Sequence, residues 1–117
     1  MKQLDYNKII AVNLGLENNP IQFPSTIANL FYEAGFNTIT KASIRKGEYL
    51  GEEERTLTFY TSSRDSNQKI RAAFRQLCQV FGQECIALKI NGKGYLEYNN
   101  KYQGERFDFN DDFFIQP

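Results

Sequence analysis

The sequence predicts an α+β domain, a ferredoxin-like two-layer sandwich in which an antiparallel sheet carries two helices on one face. Two observations predict it. Hydrophobic residues switch between a two-residue and a helical period in the order strand, helix, strand, strand, helix, strand. That order is the split βαβ arrangement, whose crossovers pack both helices on the same side of the sheet. A further strand pair then extends it at the C-terminal end.

The elements follow in order. Ile9 to Leu16 alternates, with Ile10, Val12, Leu14 and Leu16 on one side and Ala11, Asn13 and Gly15 on the other. Asn18-Asn19-Pro20 breaks this strand. Pro24 suits a first helical position, Ile27, Leu30 and Phe31 form the apolar stripe, and Gly35 stops the helix. Thr38 to Lys46 is the second strand and Arg55 to Ser62 the third, with a loop expected over Gly47 to Glu53. Ser66 or Asp65 caps a second helix whose stripe is Ile70, Phe74, Leu77, Cys78 and Phe81, and Gly82 ends it. Lys69, Arg71 and Arg75 fall on its outer face. Cys85 to Ile90 is the fourth strand, Asn91-Gly92-Lys93-Gly94 a hairpin turn, and Tyr95 to Tyr98 the fifth. Arg106 to Phe109 alternates and reads as a sixth.

Composition narrows the chemistry. The 117 residues suit one domain that buries a core without help from disulfides or metal. Lys plus Arg equals Asp plus Glu at 14 each, so the basic excess that nucleic-acid binding draws on is missing. Histidine is absent, which removes the commonest general base and metal ligand together. Cys78 and Cys85 read as two core thiols rather than a zinc site. Neither a signal peptide nor a membrane span is visible, and the expectation is a cytoplasmic protein. The sequence calls for no cofactor.

Three motifs could carry chemistry, and each has a plainer reading. Glu52-Glu53-Glu54 could hold a divalent cation or serve as acid and base, or simply solvate a hairpin loop. Asp108, Asn110 and Asp112 match the first three ligand positions of a calcium loop, but Phe113 stands where glycine is required. Asn91-Gly92-Lys93-Gly94 joins two strands and is a turn, not a phosphate loop. The sheet face turned away from the helices holds Ala11, Asn13, Thr58, Tyr60, Ala87 and Lys89, joined by Lys41, Ser43 and Arg45 or their neighbours. The aromatic, acidic tail with Phe107, Phe109, Phe113 and Phe114 is expected either to pack back on that sheet, the plainer reading, or to dock on a partner.

Gly47-Glu48-Tyr49-Leu50-Gly51, followed by Glu54, resembles a Gly-x-Tyr-x-Gly-x-x-Glu turn of small uncharacterised bacterial and phage domains. Phe81-Gly82-Gln83 resembles the helix-ending Phe-Gly-Gln motif of similar domains. The resemblance implies no activity. It singles out Tyr49, Glu54 and Gln83, with the Gln83 amide expected to bond a helix-end carbonyl or the neighbouring strand.

The function expected on these grounds is a non-catalytic binding or regulatory domain acting through a protein partner or self-association, such as a phage inhibitor of a host protein. The alternatives are a small-ligand binder on the open sheet face and a carboxylate-dependent enzyme. Tyr49, Glu54, Tyr60, Asn13, Lys41 and Arg45 are the candidate binding residues.

Overall fold

The computed structural model describes residues 7–111 other than 18, 22 and 50, and the backbone alone of 47–49. The chain runs β1 (Lys8–Gly15), α1 (Pro24–Glu33), β2 (Thr40–Tyr49), β3 (Glu52–Ser63), α2 (Asn67–Val80), β4 (Cys85–Ile90) and β5 (Lys93–Tyr98). The strands form one antiparallel sheet in the order β2-β3-β1-β4-β5. The fold is therefore α+β, with β1 and β3 in the interior of the sheet. No described helix is long and apolar enough to cross a membrane.

Alternation decides which side of the sheet is buried. Ile10, Val12 and Leu14 of β1, Leu57 and Phe59 of β3, and Ile86, Leu88 and Ile90 of β4 lie within one core with Ile27 and Phe31 of α1 and Ile70, Phe74, Leu77 and Cys78 of α2. Phe31 organises it, with ring centroids 5.1 Å from Phe59, 5.6 Å from Phe74 and 5.7 Å from Phe81. Both helices thus cover the same face. Pro24 opens α1, and the Ser66 hydroxyl caps α2 by accepting the Lys69 N–H.

Three local expectations need correction. The segment expected as a loop over Gly47 to Glu53 is ladder almost throughout, since Tyr49 pairs with Glu52 and Gly51 turns with φ +82°. A glutamate run is compatible with a strand where the ribbon is exposed and its side chains stay hydrated. The β4–β5 turn is only Asn91 and Gly92, both at positive φ, because Ile90 already pairs with Lys93. Gly94 belongs to β5 and lies beneath the Phe109 ring. Residues 106–109 are not a sixth strand. They pack against β5 through side chains, with the Tyr98 hydroxyl accepting the Phe107 N–H at 2.8 Å.

The tail does fold back as far as Asp111, which pairs with Lys89 at 2.8 Å. Phe113 and Phe114, like Asp112 of the calcium-loop motif, lie outside the described residues. Cys78 and Cys85 are not joined in a disulfide. Burial, with Cys85 and Glu97 nearby, pushes the Cys78 thiol up to about 12, so it stays protonated and inert.

Candidate functional site: the open face of the sheet

β1 presents its smaller side chains to the open face. Ala11, Asn13 and Gly15 run down the middle of it, opposite Tyr60, Thr58 and Thr56 of β3. On the other flank Lys89 and Ala87 of β4 stand opposite Ala11 and Asn13. The tail covers that flank through the Lys89–Asp111 pair and the Phe109 ring over Gly94. We call this strip of the open face the trough: β1 runs along its middle, β3 and then β2 lie on one side, and β4 with the tail lies on the other.

The side chains along it are polar and interlinked. The Thr58 hydroxyl donates to Asn13 Oδ1 at 3.2 Å. Arg45 Nε donates to Ser43 Oγ at 3.0 Å, and the Thr56 hydroxyl donates to the Arg45 carbonyl at 3.3 Å. Tyr60 is exposed, with Lys41 Nζ 5.7 Å from its ring centroid. Lys41 can reach it because β2 is irregular between Thr40 and Ser43, where Lys41 takes φ +54°. Glycine is common in that conformation and lysine is not, so the bulge bends β2 at the site.

The lower end of the trough closes over Gly15. A Cβ there would lie 2.6 Å from Gln83 Oε1 and 3.3 Å from Glu54 Oε1, so both side chains occupy the space that glycine leaves. Gln83 is oriented from its other end. Its Nε2 donates to the Phe81 carbonyl at 3.2 Å, its backbone N–H bonds the Cys78 carbonyl at 2.8 Å, and its carbonyl accepts from Asn99 Nδ2 at 3.3 Å. Gly82 makes the turn at φ +63°. The helix-end bond expected of Gln83 is thus present. Burial, and secondarily the Glu17 charge, raises the Glu54 carboxyl above the usual carboxylate range.

Five of the six candidate residues, Asn13, Lys41, Arg45, Glu54 and Tyr60, therefore belong to one surface. The backbone of Tyr49 pairs with Glu52 in the distal part of the β2–β3 ribbon, and its side chain lies outside the described residues. Among the described residues, no group of three or more Cys, Asp or Glu has a geometry that would hold a metal ion. The sequence reading missed two features. Gly15 was placed on the open face without its role as the clearing for Gln83 and Glu54. The other is Glu97 of β5, which is buried and held by Arg71 and Arg75, the latter at 2.6 Å. A charged residue inside the otherwise alternating β5 was the available signal.

No family model matches the chain, and no curated protein matches it. Among solved structures it is similar to a phage SAM lyase in complex with S-methyl-5′-thioadenosine. The likeness has a TM-score of 0.50 at 14% identity and covers 88% of this chain and 98% of that one. At that identity the likeness concerns the fold. It nevertheless overturns the expectation of a non-catalytic binding or regulatory domain that blocks a host protein, because nearly the whole of an enzyme shares this architecture. The error has a physical source. Lack of histidine weighs against acid–base and metal chemistry, but it removes only those reactions that need an imidazole.

Proposed function

We propose that this chain is a lyase that cleaves S-adenosylmethionine (SAM), releasing S-methyl-5′-thioadenosine, on the open face of its sheet. The observation that carries the reading is the fold shared with the phage SAM lyase over almost the full length of both chains. The trough supports it. From Tyr60 to Glu54 it follows six residues of strand, about 20 Å, which accommodates an extended adenosyl amino acid. Tyr60 offers a ring for the purine base. The linked Asn13 and Thr58 offer polar groups for the ribose, and Glu54 offers a negative charge for a dication-bearing substrate. The four strands β2-β3-β1-β4 further support a ferredoxin-like reading of the core, since β1 and β2 both run antiparallel to the β3 between them and β4 lies outside β1.

The reaction balances without a base, a metal or water. A sulfonium is a strong leaving group. The C–S bonding pair goes to sulfur and gives the neutral thioether. The carbon left behind is taken by an oxygen of the substrate's own carboxylate, which closes an amino-lactone. Positive sulfonium and negative carboxylate cancel, and the ammonium is unchanged. The protein's part is to hold the carboxylate against the carbon it attacks and to keep water out, a gain of proximity rather than of acid–base power. A chain with no histidine is suited to this chemistry.

The test is direct. Purified protein incubated with SAM and excess chelator is expected to produce S-methyl-5′-thioadenosine and an amino-lactone, both read by mass spectrometry. Product formation no faster than in protein-free buffer would contradict the assignment.

A further inference from the structure

We propose that the corner over Gly15 is an ammonium-recognition subsite, in which Gln83 Oε1 and the Glu54 carboxylate accept the N–H groups of the substrate's α-amino group. The inference rests on the SAM reading and adds which part of the molecule the lower end of the trough recognises. It also explains how substrate is told from product.

The Gln83 amide is pinned by its Nε2 bond to the Phe81 carbonyl, which leaves Oε1 pointing at the space above Gly15. Glu54 Oε1 approaches the same space from β3. Among the described residues, neither oxygen receives a hydrogen bond. Both are acceptors, Glu54 is partly withdrawn from water, and Glu17 adds negative potential nearby. Such a corner is complemented by a cation that carries hydrogen-bond donors. An ammonium has three N–H groups and satisfies both oxygens. A sulfonium has none and would leave them unsatisfied. The glycine is part of the device, because any side chain at position 15 would displace Gln83 Oε1 from the corner.

S-methyl-5′-thioadenosine has no α-amino group, and the exocyclic amine of its adenine is uncharged. Cleavage therefore separates the thioether from the fragment that the corner holds, and the product loses an anchor that the substrate had.

The experiment uses the full chain and two uncleaved probes. S-adenosylhomocysteine has the α-amino group and lacks the sulfonium, whereas S-methyl-5′-thioadenosine lacks both. By calorimetry the wild-type chain is expected to bind S-adenosylhomocysteine at least about tenfold more tightly, the scale of a charge-assisted hydrogen bond. Gln83→Leu and Gly15→Ala are each expected to bring that ratio close to one, by weakening S-adenosylhomocysteine and leaving the thioether within about threefold. Gly15→Ala tests the corner without removing either oxygen-bearing residue, because the added methyl displaces Gln83 Oε1 from it. A wild-type ratio near one, or a ratio that survives both substitutions, overturns the subsite while leaving the SAM reading intact. Failure of the wild-type chain to bind either probe overturns that reading and the subsite with it.

Discussion

Glu54 sits where its charge is disfavoured, and the consequence can be read in the pH dependence of stability. Burial, then Glu17, raises its proton affinity in the folded chain above that in the unfolded chain. Between the two values the native state binds more protons, so stability falls as pH rises through that window. Glu17 acts in the opposite sense, since its hydrogen bonds from Arg55 lower its carboxyl; the stabilisation they give is lost as pH falls. That pair is solvent-exposed and contributes little. Glu54→Gln is therefore expected to melt near the wild-type temperature at about pH 4 and progressively above it as pH rises towards about 7. A difference that shrinks over that range in thermal melts would mean that Glu54 is better stabilised as an anion than its surroundings imply. At this scale the sequence showed a good deal. Strict alternation puts Asn13 and Tyr60 on the open face, because a strand leaves only two choices. It could not show that Gln83 reaches Gly15, since contact between a helix-end turn and a distant strand depends on the packed geometry.

The elements were legible where their period was strong and less so where a segment crosses others. α2 was readable from its stripe. Its flank was not, because a helical period says which side is apolar but not that Arg71 and Arg75 face another strand. There they meet Glu97, and Arg71 also lies 4.2 Å from the Tyr95 ring centroid. The glutamate-rich end of the β2–β3 ribbon is hard to read because Glu52 and Glu53, on opposite faces, are both exposed, so no hydrophobic alternation marks it. The tail is the element with the most direct bearing on the site. Tyr98 and Tyr102 stack at 5.0 Å, Arg106 lies 5.1 Å from the Tyr98 ring centroid, and Asp111 holds Lys89. Truncation after Gly104 is expected to lower the melting temperature and raise the binding of an apolar dye, because it uncovers Gly94 and the β4–β5 side of the trough. A truncated chain that melts as the full chain does would show that this packing contributes nothing to the fold.

At the scale of the whole molecule, the α+β class followed from the sequence, and the proposed activity did not. Crossover rules and hairpin turns restrict the topologies open to such a chain. Function had to be sought in motifs, and the motifs of catalysis are mostly those of acid–base and metal chemistry. Cleavage of a sulfonium by the substrate's own carboxylate leaves no such mark. It needs a shaped, partly dry surface with a few acceptors, which resembles an ordinary sheet face when read from sequence. The account therefore stands or falls on whether that face is where the nucleoside binds. The most direct measurement is a titration of isotope-labelled protein with S-methyl-5′-thioadenosine, followed by backbone amide shifts. The account predicts saturable shifts at Ala11, Asn13, Thr58 and Tyr60, with α1 and α2 largely undisturbed. Saturable shifts confined to the helical face, or no shifts at millimolar ligand, would contradict it.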